Sequence, residues 1–361
     1  MKIPFVDVPS RFAENREKFH RALDRVLDHG QAILGPEVEE FEQALAHFTQ
    51  CKHAVSVANG TDALVLGLRA LRVTDGEVIT TSMSYLASTS SIVLAGCRPV
   101  FADIGSDLNL DPDAAERQIT SATRAILVVH LGGNPARMTD FKELGRKYGL
   151  KIIEDCAQAF GAKVDGKFVG TLSDLGATSF HPLKNLSAVG DAGAILTNDV
   201  DVARHVKLAR NHGHSSRDQC EFWTINSRMD SLQAGFLSAA LEAFPTVMAR
   251  RRAQAHRYRE ALGGVVAFPA ILGGADPTYN FFYVVAEKRD ALKAALEREG
   301  IDARIHYPIP IHKLNAARQI ASARLPKTEW YTDRILSLPL GPHLHDADID
   351  FVAETVSRFY G

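Results

Sequence analysis

No apolar run in the 361-residue sequence approaches the ~20 residues of a membrane helix. Residues 1–10 also lack the long apolar segment of a signal peptide. Cysteine is scarce: Cys51, Cys97, Cys156 and Cys220 stand far apart, without zinc spacing. Buried free thiols in a reducing cytoplasm are the expectation. Neither sign of charge dominates, with 41 Lys and Arg against 43 Asp and Glu and a net charge of −2. That balance gives no reason to expect nucleic acid or an anionic membrane as a partner. There is no internal repeat and no low-complexity tract, and 26 glycines and 15 prolines are spread along the chain, which argues against large-scale disorder. What is present is ordinary for a globular protein, 46% hydrophobic and 23% charged. The length suggests about two domains. A chain this long buries about 75% of the surface its unfolded form exposes, so no disulfide or metal staple is needed.

Short β-branched runs alternate with helical patterns through the first two-thirds. Strands are expected at 54–57, 77–80, 99–102, 125–130, 151–155, 177–180 and 194–196, with helices between them at 60–71, 85–95, 111–118 and 139–148. The strand runs are continuously apolar rather than alternating, as strands covered on both faces are. Strand–helix alternation with right-handed crossovers makes the fold class α/β, three layers (α/β/α) around a mostly parallel sheet. Two helices precede this unit, one over 13–29 and one after Gly35-Pro36, where proline suits a first helical turn. A helical stretch follows Ser227 to about Leu262, and Pro245 is expected to kink or interrupt it. The remainder mixes strands (281–285, 304–307) with helices (290–299, 349–359) and reads as a smaller C-terminal α/β domain. The boundary is placed near Pro245, giving a large domain over 1–245, with the N-terminal helices, and a small one over 246–361.

Three stretches carry chemistry jointly. In Lys151-Ile-Ile-Glu-Asp155 a hydrophobic strand ends in a carboxylate, and ligands of parallel sheets bind beyond the carboxyl ends of strands. A helix cap or solvated acid is the plainer use of such an Asp. Ser179-Phe-His-Pro-Leu-Lys184-Asn185 lies on the next strand–loop unit. Most lysines are surface residues, but a partly buried one is the standard Schiff-base former. Together, Asp155 suits the protonated pyridine nitrogen of pyridoxal phosphate and Lys184 its aldehyde. In Val57-Ala-Asn59-Gly60-Thr61 a strand turns through glycine straight into a helix, presenting free N–H groups and a positive helix end to a phosphate. Tyr85, just past another strand, is an aromatic placed to stack on a flat ring, or a core tyrosine. The Arg250-Arg251-Arg252 run reads as a solvated helix face. The pairs His212/His214 and His343/His345 have no carboxylate or cysteine cluster to support them, and no metal is expected.

These residues, in this order, resemble the DegT/StrS family of pyridoxal-phosphate sugar aminotransferases, of the fold-type-I aspartate aminotransferase architecture. The resemblance runs nearly end to end, through Ile33-Leu-Gly-Pro-Glu37-Val, Ala58-Asn-Gly-Thr-Asp-Ala-Leu64, Gly96-Cys-Arg-Pro-Val-Phe-Ala-Asp103, Glu154-Asp-Cys-Ala-Gln-Ala-Phe-Gly161, Ser179-Phe-His-Pro-Leu-Lys-Asn185, Asn226-Ser-Arg-Met-Asp-Ser-Leu-Gln-Ala234 and His306-Tyr-Pro-Ile-Pro310. It implies that residues 1–245 bind the cofactor, with Lys184 as the Schiff-base lysine and Asp155 at the pyridine nitrogen. Gln158 would lie against one ring face or the hydroxyl and Tyr85 against the other face. Asn59, Gly60, Thr61 and Ser179 fall at the phosphate. Asn226 matches a phosphate ligand from a second subunit, hence a homodimer with shared active sites. Arg228, His306 and Tyr307 match positions near the substrate entrance. Three departures stand out: Ala192 for a glycine after the lysine, Thr81-Ser82 where proline is common, and Asn134 where Gln is frequent.

The implied reaction is a two-stage transfer with ping-pong kinetics. L-glutamate gives its amino group to the cofactor, and a nucleotide-linked ketosugar, with a lean towards a 3-keto sugar, then takes it in amino-sugar biosynthesis. A cyclitol ketone as acceptor stays open, as does a non-catalytic cofactor-binding sensor. Relatives with histidine at the lysine position dehydrate their sugar; Lys184 speaks against that here.

Overall fold

Seven short, apolar strands make one sheet: β1 (His53–Val57), β2 (Glu77–Thr81), β3 (Arg98–Ala102), β4 (Thr123–Val129), β5 (Lys151–Asp155), β6 (Leu175–Ser179) and β7 (Gly193–Thr197). The structure, a computed structural model, describes residues 2–361. The spatial order is β1-β7-β6-β5-β4-β2-β3. Only β7 runs against its neighbours; the pairings among β2, β3, β4, β5 and β6 are parallel. The sheet is therefore mostly parallel, as the continuous apolar runs required. Successive residues of β4 enter opposite cores: Leu127 and Val129 join Leu64, Leu66 and Ile92 on one face, while Ile126 and Val128 join Phe141 and Ile152 on the other.

Ahead of the sheet come α1 (Val8–Glu14), α2 (Arg16–His29) and α3 (Pro36–Thr49). The single helix expected over 13–29 is thus two, divided at Asn15. The helix α4 (Gly60–Ala70) follows β1, and α5 (Leu86–Ala95) follows β2. A 32-residue helix, α6 (Ser231–Leu262), then joins the two parts of the chain. It passes through Pro245 as one element, correcting the expected interruption. Packing on both sides outweighs the one backbone bond that proline removes: Leu237, Phe244 and Met248 sit in the core under α3, and Ala255, Tyr258 and Leu262 in a second core. By length and composition α6 could cross a membrane, but these apolar residues are covered by protein.

The second core is C-terminal. The antiparallel pair β8 (Phe282–Val285) and β9 (Ile335–Leu338) meets α7 (Asp346–Tyr360) and α6 there. Ile3 reaches the same core from the other end of the chain. The Tyr258 hydroxyl, fully buried, donates to Pro339 O at 2.9 Å, the satisfied handle a buried tyrosine needs. The strand expected over 304–307 is absent: Arg304 makes one isolated bridge to Ser337, and Tyr307 sits at φ 58°.

The arginine run is a solvated face only in part: Arg250 is exposed and Arg252 half-buried, but Arg251 is buried. Arg250 donates to Leu344 O (2.6 Å), Arg251 to Tyr279 O (2.6 Å) and Arg252 to Pro277 O (3.1 Å). The three side chains fasten the C-terminal part to α6. Three thiols are buried as expected, but Cys220 is exposed, on a small hairpin rather than in a core.

Candidate active site

The site forms where β2, β5 and β6 end. Asp155 is the last residue of β5 and 5% exposed. Its Oδ2 accepts from Ser88 Oγ (2.7 Å) and its Oδ1 from the Ala157 N–H (3.1 Å). Ser84 and Ser88 are hydroxyl-bonded to each other at 2.8 Å. The carboxylate is thus aimed by the first turn of α5. Ser88 escaped the sequence reading, although it lies one turn beyond Tyr85.

β6 lies beside β5, with Ala177 paired to Asp155, and the turn after it carries Lys184. Burial pushes the Lys184 amine below its ordinary proton affinity, while the Asp155 charge works the other way. The turn is held from a distance of 173 residues in sequence. Arg11 Nη1 donates to Lys184 O (2.8 Å), to Pro182 O (3.1 Å) and to Ser187 Oγ (3.1 Å). Nothing in the local pattern around Arg11 announced this clamp. Ala192 is accommodated: it is 1% exposed, packs with Leu186 and Ala188, and its carbonyl accepts Phe180 N–H at 2.8 Å.

The cradle lies at the start of α4. Asn59 caps the helix, accepting Asp62 N–H at 2.9 Å. The first turn of a helix leaves its leading N–H groups unpaired, which here are those of Gly60 and Thr61. A Cβ on Gly60 would stand 2.6 Å from Ser179 Cβ, and one on Gly193 would stand 2.5 Å from Asn59 O. Two glycines therefore let β6, β7 and α4 close together, and a side chain on either would fill the space. Ser227 Oγ donates to Asp62 Oδ2 at 2.7 Å and accepts Ala58 N–H at 3.2 Å. That bond brings the segment carrying Asn226 and Arg228 to the same helix start. Asn226 itself is exposed, and Arg228 donates to Asn211 Oδ1 at 3.0 Å.

Gln158, 5% exposed, is fixed at both ends of its amide. Oε1 accepts Gly132 N–H at 2.7 Å, and Nε2 donates to Tyr307 Oη at 2.6 Å. Burial raises the Tyr307 phenol further above neutrality. Tyr85 is 58% exposed at the N-cap of α5, so it is not a core tyrosine. His306 stacks on Phe281 with ring centres 3.7 Å apart and shares a hydrogen bond with Ser337 Oγ at 2.8 Å. Ser82, where proline is common in the family, bonds His312 Nδ1 at 2.7 Å and ties the C-terminal part to the end of β2.

Two features lie outside this constellation. His130, Glu154 and Cys156 are buried within reach of one another. Glu154 is already saturated by Gly170 N–H, Leu172 N–H, Ser173 Oγ and His130 Nε2, and His130 Nδ1 accepts Ala136 N–H. Glu154 and His130 have no lone pair left for an ion, and burial keeps the Cys156 thiol protonated, so this is a structural knot. A cavity of about 800 Å³ is lined by Asp107, Arg137 and Trp330 and by none of the residues above.

A buried carboxylate, an amine of lowered basicity and an open N–H cradle converge at the strand ends. The cradle fits a phosphate, because its two N–H groups have no partner and its glycines keep it clear. Such a fold and site define a pyridoxal-phosphate-dependent transferase of the α/β/α type. The sequence matches the DegT/DnrJ/EryC1/StrS aminotransferase family over residues 13–357. It is 39% identical to the dTDP-3-amino-3,4,6-trideoxy-alpha-D-glucose transaminase of Streptomyces venezuelae, over 99% of this chain and 97% of that one. The fold superposes on the crystal structure of DesV from S. venezuelae with a TM-score of 0.97 at 38% identity, covering 99% and 98% of the two chains. Against Bacillus subtilis NtdA with bound pyridoxamine phosphate the TM-score is 0.92 at 29% identity, covering 99% of this chain and 84% of that one. The chain belongs to this aminotransferase family and is a pyridoxal-phosphate-dependent sugar aminotransferase.

Proposed function

We propose that the protein moves the amino group of L-glutamate to the keto carbon of a nucleotide-linked 3-ketosugar. The observation that carries this reading is Lys184 in a turn beside Asp155, its basicity lowered by burial. The S. venezuelae relative, named for a dTDP-linked 3-amino sugar, supports the acceptor class.

When bound, pyridoxal phosphate supplies an aldehyde for Lys184 and a ring that takes up electrons. Asp155, aimed by Ser88, would pair with the ring nitrogen. The N–H groups of Gly60 and Thr61, with Ser179 Oγ, would hold the phosphate beside the Asn59 cap, and Asn226 would join them from a second subunit. Gln158 and Tyr85 would lie against the cofactor ring. Lys184 Nζ takes the proton from the donor α-carbon, and in the second half delivers one to the sugar carbon. An amine of lowered basicity is neutral more often near neutral pH, as a base must be. Arg228, His306 and Tyr307 border the sugar.

The working unit is a homodimer in the cytoplasm. Tyr85, Leu86 and Leu183 are each at least half exposed and Trp223 is 95% exposed, all on segments that carry site residues. A second copy would cover them and bring Asn226 to its partner's cradle. Residues 1–245 serve as the cofactor-binding domain and 246–361 as the small domain.

The test is the absorption spectrum of the cofactor-loaded protein before and after L-glutamate, then a panel of nucleotide 3-ketosugars and cyclitol ketones. Loss of the long-wavelength band with glutamate, restored by a nucleotide ketosugar, is the expected result. A band unmoved by glutamate, or restored only by a cyclitol ketone, would refute the reading. A monomeric mass in solution would refute the shared site.

A further inference from the structure

A small cavity of about 60 Å³ lies against the turn that carries Lys184, with Asn185 and His306 in its wall. Arg11, Arg251, Arg304 and His343 also line it, and no carboxylate does. Arg251 is 4% exposed. Its donors reach only carbonyl oxygens, Tyr279 O at 2.6 and 3.2 Å and Asn280 O at 3.4 Å. Arg11 likewise reaches only the two carbonyls and the hydroxyl of the lysine turn. Neither guanidinium forms an ion pair among the described residues, whereas Arg304 at the rim is paired with Asp302 at 2.8 Å. The two are close enough that the charge of Arg11 weighs on Arg251, beside the larger effect of burial. Arg11 is half-buried and feels only the charge of Glu14; a buried guanidinium such as Arg251 with no ion-pair partner is costly.

Asn280 supplies an independent sign. It is 7% exposed, it lines the same cavity, and its Nδ2 has no hydrogen-bond partner. A buried donor left unpaired needs an acceptor. His343 gives its Nε2–H to Pro4 O at 3.1 Å, which leaves Nδ1 of the neutral ring as the one imidazole acceptor there. The wall thus holds three guanidinium groups and an unpaired amide donor, and no carboxylate faces them. A water needs about 10–15 Å³ of such space, so the cavity holds a few waters, the scale of one acidic group.

We infer that this cavity is an oxyanion subsite that seats one acidic group of a substrate during the reaction at Lys184. The inference rests on the proposed aminotransfer. The shared chemistry has two sources, the carboxylate of the amino donor and a phosphate of the nucleotide. Because Arg11 also holds the Lys184 carbonyl, an occupied subsite acts on the lysine turn directly.

Two variants of the holoenzyme test it. Asn280→Asp keeps the shape and turns the unpartnered donor into a repelling charge. Arg304→Gln changes only the exposed rim and spares the buried cluster. The half-reactions are followed separately by stopped-flow absorbance, L-glutamate with one cofactor form and the nucleotide ketosugar with the other. The dissociation constant of one substrate should rise about 10- to 100-fold, the weight of a charge-assisted contact, with the other nearly unchanged. In the wild type, sodium formate should compete with the donor if the seat is for its carboxylate; inorganic phosphate should compete with the nucleotide sugar if it is for a phosphate. Equal losses in both half-reactions would overturn the inference. So would unchanged constants in both variants without competition by either anion. If wild-type protein ignores glutamate but accepts another donor, the donor assignment fails, and the nucleotide and anion arms still decide the subsite.

Discussion

Gly60→Ala tests the phosphate cradle most directly. The backbone of Gly60 is not in the left-handed region, so alanine meets no conformational bar. The obstacle is contact alone: the new methyl would stand 2.6 Å from Ser179 Cβ and 3.3 Å from Ser179 Cα. Ordinary carbon contacts are about 3.5–4.0 Å, so the start of α4 must move about 1 Å from the end of β6. The N–H groups of Gly60 and Thr61 and the Ser179 hydroxyl then no longer converge. A phosphate bond near 2.9 Å stretched by about 1 Å lies outside hydrogen-bond range. Hydrogen bonds to a charged group contribute about 1.5–3 kcal/mol each. Losing two, with partial readjustment, comes to about 2–4 kcal/mol, or roughly 30- to 700-fold in cofactor affinity. Overpacking should destabilise the fold by about 1–3 kcal/mol. Fluorescence titration of apoprotein with pyridoxal phosphate measures the first quantity, and denaturant unfolding the second. An affinity within about threefold of wild type, accompanied by the stability loss, would refute the placement of the phosphate at Gly60 and Thr61.

Gly193→Ala presses on Asn59 from the other side, 2.5 Å from its carbonyl oxygen, and should weaken cofactor binding in the same titration. Ser88→Ala removes the hydroxyl that aims Asp155. An unpaired buried acceptor costs about 1–3 kcal/mol, so the glutamate half-reaction should slow about 10-fold or more in stopped-flow traces. Arg11→Met frees the lysine turn from three contacts. Misplacement near 1 Å can cost about 100-fold in rate, read as a fall in kcat with the cofactor still bound. His306 is held down to about 4, chiefly by burial and then by the Arg304 and Lys184 charges. An unfolded histidine protonates near 6.5, so as pH falls from about 6.5 towards 4 the unfolded chain takes up the proton first and stability is lost. Denaturant midpoints measured across that window should fall in wild type and flatten in His306→Asn.

The main elements of the site were legible because their signals are local. A continuous apolar run ending in Asp155 marks a parallel strand and the place where ligands bind. A glycine opening α4, with two residues between it and β1, marks an N–H cradle. Lys184 follows the neighbouring strand. Each depends on a few consecutive residues, so short-range chemistry sufficed to place them in one fold and at one end of one sheet.

What tertiary structure alone decided concerns partners distant in the chain. The reversed direction of β7 follows from how β1 and β6 flank it. The continuity of α6 through Pro245 follows from the two cores it joins. The arginines are the clearest case. Read locally, Arg250, Arg251 and Arg252 are charges for solvent and Arg11 is one more polar residue of a surface helix. In the fold they meet carbonyl oxygens of loops far along the chain. A guanidinium reaches far and accepts many oxygen geometries, so its partner is set by which loops the cores bring near it, and no neighbouring residue encodes that.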